Sequence, residues 1–246
     1  MNGNMTFRIA HLYAHFLNIY GDRGNIVTLV KRCEWRGIDV EVKTIGLHEK
    51  IDPEYFDAYF IGGGQDKQQQ VIAEDLLANK EAIRQSIEAG AVILSICGGY
   101  QLLGHYYKPH EGPELSGISL VDAYTVAGNR RMIGNVVVAR DSGETLVGFE
   151  NHSGKTFLGA QTNALGKVVT GNGNNGEDGK EGLAQVVGKG MVYGTYLHGS
   201  LLPKNPALAD EIIKRGLSRR HAKVELAKLD DVVEKSAHDY AVSLKA

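Results

Sequence analysis

Residues 91–103, Ala-Val-Ile-Leu-Ser-Ile-Cys-Gly-Gly-Tyr-Gln-Leu-Leu, constrain the fold of this chain more than any other stretch. Five apolar residues and a serine read as a buried strand. Cys97 then meets Gly98-Gly99, and a short amphipathic run follows. The pattern is a strand, a tight turn and a helix start, with a thiol at the turn. Helix N-termini leave N–H groups unpaired and favour an anion. A thiol held there is set up as a nucleophile. Hydrolases use the same elbow with serine in its place. Free cysteines are otherwise common as small core fillers. A filler needs no glycines after it, whereas a nucleophile turn needs close backbone approach and unusual dihedrals. On this stretch alone Cys97 can be either.

The preceding residues alternate strand and helix. Phe7–Tyr13 reads as a first strand, and Asn18–Asn25 carries turn chemistry. Ile26, Leu29, Val30 and Cys33 recur at helical spacing until Gly37. Ile38–Ile45 alternates as a half-buried strand. Asp57–Ile61 is a short apolar strand that runs into Gly62-Gly63-Gly64. A helical stretch over residues 66–89, broken near Asn79, ends at Gly90. Such alternation argues for an α/β fold with a parallel sheet. Ligands then bind beyond the C-terminal ends of the strands.

After about Gly117 the texture changes to short strand-like segments: Leu120–Val126, Asn135–Arg140, Thr145–Asn151, Ala184–Gly188 and Val192–Tyr196. Residues 171–182 read as a loop or wide hairpin. From Asn205 helical periodicity returns, with Leu208, Ile212 and Ile213, then Val224, Leu226 and Leu229. The expected organisation is one domain over residues 1–246 with a helical C-terminal extension from about 205.

Several function classes are disfavoured. A net charge of −2 gives no electrostatic reason to expect nucleic acid as a partner. No run approaches the ~18 apolar residues of a membrane span. Residues 1–8 lack a signal-peptide pattern. Cys33 and Cys97 suit free thiols in a cytoplasmic chain. His11 and His15 are too isolated to suggest a metal, and none is expected. No phosphate-binding loop follows Gly64, so no nucleotide or other cofactor is expected on this chain. The basic run from Lys214 to Lys223 reads first as a solvated face, with partner or lipid docking as the sharper alternative.

Three loops are expected at one rim: Gly62–Gly64, Cys97–Gly99, and Leu197-His198-Gly199. His198 follows a buried segment and suits a general base for Cys97. His152, beside Glu150, is the rival base. The N–H groups of Gly63, Gly64 and Gly98 suit an oxyanion hole.

With these pieces assembled, the chain resembles the class I glutamine amidotransferases of the cobyric acid synthase (CobB/CobQ) type. The matching stretches are residues 17–25, 60–64, 96–101, 148–152 and 194–199. Residues 17–25 and 148–152 resemble, more narrowly, glutaminase subunits of lipid II isoglutaminyl synthases. The resemblance implies a three-layer α/β fold, with a mostly parallel central sheet and short antiparallel strands in the second half. It implies Cys97 as nucleophile and His198 as base. It places a glutamine-binding arginine within residues 128–134, and counting back from Gly134 favours Arg131 over Arg130. It implies L-glutamine as substrate and a MurT-like Mur-ligase subunit as partner. That partner would hold ATP, magnesium and the lipid II acceptor at the inner face of the membrane.

One position departs from the wider superfamily, where many members carry a glutamate two residues after the histidine. Here it is Ser200. The third catalytic residue is then missing, water-mediated or donated by the partner, and the isolated chain is expected to be a poor glutaminase. A stand-alone cysteine hydrolase and a non-catalytic binding subunit are the alternatives.

Overall fold

The computed structural model describes residues 5–244. The expectation about the first residues lies, for Met1–Asn4, outside them. The first half is built as β1 (Thr6–Leu12), α1 (Arg23–Glu34), β2 (Asp39–Ile45), β3 (Ala58–Ile61), α2 (Asp66–Ala78), α3 (Lys80–Glu88), β4 (Val92–Ile96) and the short α4 (Gly98–Gln101). The helical stretch does break at Asn79, whose side chain is buried and donates to the carbonyl of Glu49.

The main sheet has the order β11-β12-β4-β3-β1-β2, where β11 is Leu183–Val187 and β12 is Gly190–Thr195. All its pairings are parallel except β11 with β12. The step from β1 to β2 and the step from β3 to β4 run in opposite directions across the sheet. Right-handed crossovers therefore put α1 on one face and α2 with α3 on the other. The next helix, α5 (Pro206–Ser218), packs with α1 and completes three layers. Strands β3 and β4 are buried at every position, as a sheet covered on both faces requires.

A second sheet leaves the first after α4. It comprises β5 (Tyr106–Lys108), β6 (Leu115–Ser116), β7 (Ala123–Ala139), β8 (Thr145–Leu158), β9 (Gly166–Thr170) and β10 (Lys180–Glu181). Two of these strands are longer than the sequence suggests. Leu120–Val126 and Asn135–Arg140 belong largely to one strand, because a register shift between Ala127 and Met132 absorbs the polar stretch between them. The helical reading of Val224, Leu226 and Leu229 also fails. That segment is irregular, and the last helix, α6, is Val232–Ser243.

The basic run is not a free cationic face. Arg219 donates to the Pro53 carbonyl at 2.6 Å, and Arg220 pairs with the buried Asp57 at 2.6 Å. Among the described residues no helix is long and apolar enough to cross a membrane.

Candidate active site

The C-terminal ends of four adjacent parallel strands, β12, β4, β3 and β1, deliver four loops to one rim. Three of them are those expected. The fourth, after β1, brings Tyr20 and Asp22 to the same rim.

Cys97 follows β4 and caps α4. Its backbone sits at φ 48°, ψ −105°, a conformation that costs a non-glycine residue about 1–3 kcal/mol. Its amide donates to the Thr195 carbonyl at 2.8 Å, which fixes the turn against β12. Beneath α4, Gln69 donates to the Gly98 carbonyl at 3.1 Å and to Gln101 Oε1 at 2.8 Å. Gln101 in turn donates to the Tyr196 hydroxyl at 3.1 Å. The elbow therefore stands on a buried hydrogen-bonded base rather than on apolar packing alone.

His198 lies just beyond β12 and is fully buried. Its backbone pairs with Phe149 of β8, its amide donating at 2.8 Å, so the second sheet holds this loop from outside. Its Nδ1 lies 3.2 Å from Asp22 Oδ1, and Asp22 is also fully buried. Burial alone would lower the His198 pKa. The charge of a Cys97 thiolate and the Asp22 carboxylate outweigh it and raise the value to about 10. Asp22 and the neighbouring Cys97 thus both favour the protonated ring.

Asp22 is a candidate third residue within the chain itself, an option that the sequence reading did not name. It comes from the loop after β1, and its Oδ2 accepts the Gly63 amide at 2.7 Å. Ser200, where the wider superfamily has its acid, donates to the Gly21 carbonyl at 2.6 Å. The serine therefore ties down the loop that carries the carboxylate. The contact is close: a Cβ on Gly24 would lie 2.0 Å from Ser200 Oγ. A Cβ on Gly63 would lie 2.7 Å from His198 Cε1, so only glycine fits beneath the imidazole.

The same bond removes Gly63 from the expected oxyanion hole, since its N–H is spent on Asp22. Gly64 and Gly98 lie against each other: a Cβ on Gly98 would be 3.1 Å from Gly64 N. Gly64 also lines the cavity in front of Cys97.

A cavity of about 380 Å³ opens in front of Cys97. Arg131 lines it and Arg130 does not. Arg131 Nε donates to Asn151 Oδ1 at 2.6 Å, and Nη2 approaches the Tyr20 hydroxyl at 3.3 Å. Tyr20 bridges the two halves of the site, for its ring meets the His198 ring edge-on at 4.9 Å between centroids. The rival base, His152, lines the same cavity. His152 stacks flat on Tyr196 at 3.5 Å, and its Nδ1 lies 2.8 Å from the Gly154 carbonyl.

The sequence reading missed Asp22 and Tyr20 as site residues. The rule that gathered three loops at the strand ends also covers the end of β1, and that was the available signal.

Known proteins show the same arrangement of sequence. Residues 8–206 match the CobB/CobQ-like glutamine amidotransferase domain. The chain is 40% identical over 246 residues to the lipid II isoglutaminyl synthase (glutamine-hydrolyzing) subunit GatD of Streptococcus pneumoniae, covering 98% of this chain and 93% of that one. It is 40% identical over 226 residues to the corresponding Staphylococcus aureus subunit, covering 92% and 90%. In structure it is similar to a solved glutamine amidotransferase, with a TM-score of 0.58 at 16% identity, covering 84% of this chain and 98% of that one.

Proposed function

The chain belongs to the CobB/CobQ-like glutamine amidotransferase family, and from that premise we propose that it is the glutaminase subunit of a lipid II-amidating enzyme. One observation carries the chemistry: the buried row Asp22–His198–Cys97 opens onto a cavity walled by Arg131. The similarity to subunits named for lipid II isoglutaminyl synthase supports the acceptor.

Glutamine binds with its α-carboxylate on Arg131, whose planar guanidinium suits a two-point contact. The Cys97 thiolate attacks the side-chain amide carbon. The N–H groups of Gly64 and Gly98 hold the oxyanion that develops. His198 gives its proton to the leaving nitrogen, ammonia departs, and a glutamyl thioester remains on Cys97. The neutral imidazole then takes a proton from water as that water attacks the thioester. Glutamate leaves, and the thiolate–imidazolium pair is restored. Asp22 holds the ring orientation through both steps and stabilises the imidazolium.

Ammonia must reach its acceptor before bulk water protonates it, so a docked synthetase is required. A MurT-like Mur-ligase subunit would bind ATP and magnesium and activate the D-glutamate α-carboxyl of lipid II. The product is the D-isoglutamine form, made at the cytoplasmic face of the membrane. The test combines the chain with its cognate ligase subunit, ATP, magnesium, lipid II and glutamine, and reads the amidated product by mass spectrometry. Cys97→Ala should abolish amidation from glutamine and leave amidation from ammonium chloride intact. Glutamine-driven amidation by Cys97→Ala would overturn the reading.

A further inference from the structure

One short loop separates the active-site cavity from a second hollow. Ile19 and Tyr20 wall the cavity, whereas Asn18 and Arg23 wall the hollow. The hollow is a groove of about 630 Å³ beside α1 and the edge strand β2. Apolar residues line it, and two of them are unusually open: Val27 is 51% exposed and Val42 is 40% exposed. The chain's one tryptophan, Trp35, is 58% exposed. With Val27 and Lys31 it follows the i, i+4, i+8 spacing of one helix face.

The charges of the groove all have one sign. Arg23 and Lys31 line it beside the imidazoles of His11 and His15, and no aspartate or glutamate does. This is a local excess of cations in a chain whose net charge is −2. Lys31 also reaches Glu34, but that pair is exposed and is displaced at little cost. His11, only 5% exposed, also lines the groove, and its Nε2 has no hydrogen-bond partner. A buried polar atom without a partner is costly and calls for a compensating contact.

We propose that the groove beside α1 and β2 docks the ligase subunit by receiving an acidic segment with an apolar anchor. The proposal rests on the reading given under Proposed function. Exposed tryptophan and valine beside convergent cations match the make-up of protein-binding hot spots, where an apolar anchor is framed by charge pairs. The position also suits the chemistry. The docked segment would bear on Asn18 and Arg23, the back of the loop whose front carries Tyr20 and Asp22. That loop turns through two consecutive left-handed residues, Tyr20 at φ 55° and Gly21 at φ 79°, so a contact on one side steadies the other. Docking would then raise glutamine hydrolysis by fixing Asp22 against His198.

Titration calorimetry of the purified chain with its cognate Mur-ligase-like subunit tests this. The double charge reversal His15→Glu/Lys31→Glu and, separately, Trp35→Ala are each expected to weaken binding by about tenfold or more. Glutamine hydrolysis by either isolated variant should match wild type, which also checks that it folds. Wild-type binding that both variants retain in full overturns the proposal. Failure of the wild-type chain to bind any such subunit overturns the functional reading instead, and the docking inference with it. Hydrogen exchange on the wild-type complex needs no variant: protection is expected at residues 23–31 and 42–44, and protection only elsewhere overturns the proposal. Inorganic phosphate titrated alone is the remaining arm. Saturable phosphate binding lost in the charge reversal, with ligase binding unchanged, assigns the groove to a free anion and overturns docking.

Discussion

Asp22 and His198 stand 176 residues apart in the chain and 3.2 Å apart in the fold. In many relatives the acid that orients the imidazole lies two residues after it. Here the opposite wall of the site places Asp22 against the imidazole, and Ser200 ties down the loop that carries it.

Asp22→Asn is expected to lower kcat for glutamine by about 10³-fold with little change in KM. The amide preserves the shape of the site but loses the charge that stabilises the imidazolium. Steady-state kinetics with and without the ligase subunit read this directly. Near-normal turnover of the variant in the complex would mean that the partner supplies the acid after all.

With Asp22 read as the acid, the isolated wild-type chain is expected to hydrolyse glutamine on its own, against the sequence expectation of a poor glutaminase. Release of glutamate should be measurable without ligase and absent in Cys97→Ala. A glutamine-like chloroketone should add once, at Cys97, by peptide mass mapping. Cys33 should stay unlabelled, since burial pushes its thiol up to about 12 and keeps it from the reagent.

Arg131→Ala should raise KM for glutamine by about 10- to 100-fold, the loss of charge-assisted hydrogen bonds to the carboxylate. Arg130→Ala should leave KM within about twofold, because its side chain does not line the cavity. Equal effects of the two would place the carboxylate elsewhere.

His11 gives an acid-side signature. Burial first, and then Arg23 and His15, lower its pKa from 6.5 to about 4. Between those values the unfolded chain binds a proton that the folded chain refuses. Its contribution is therefore intact above pH 6.5, falls as pH drops through that window, and levels off below about 4. The loss is on the order of 3 kcal/mol at most. Urea unfolding midpoints of wild type should fall between pH 7 and pH 4.5 by more than those of His11→Gln.

The legibility of this chain followed range. Residues 91–99 read as a strand and an elbow because every cue was local: unbroken apolar residues, then cysteine and two glycines. The break at Asn79 and the strand ending at Gly62 were visible for the same reason. Residues 128–131 hid a continuous strand, because a shifted register lets polar residues sit in it. Val224 is buried without being helical, so its spacing imitated a helix. Asp22 was hidden most deeply. Nothing near it distinguishes a buried carboxylate from a turn residue, and only the closing of β1 beside β3 brings it to Gly63 and His198.

The strained backbone at Cys97 has a consequence for populations of molecules. Glycine at this position would relieve the left-handed conformation, so a Cys97→Gly chain should melt later than the active one. Such a copy would be inert toward glutamine yet unchanged at the groove beside α1. Where both forms were made together, the dead chain would outlast the live one and compete for the same partner. The strain at Cys97 is thus a stability cost that its proposed role in turnover would offset.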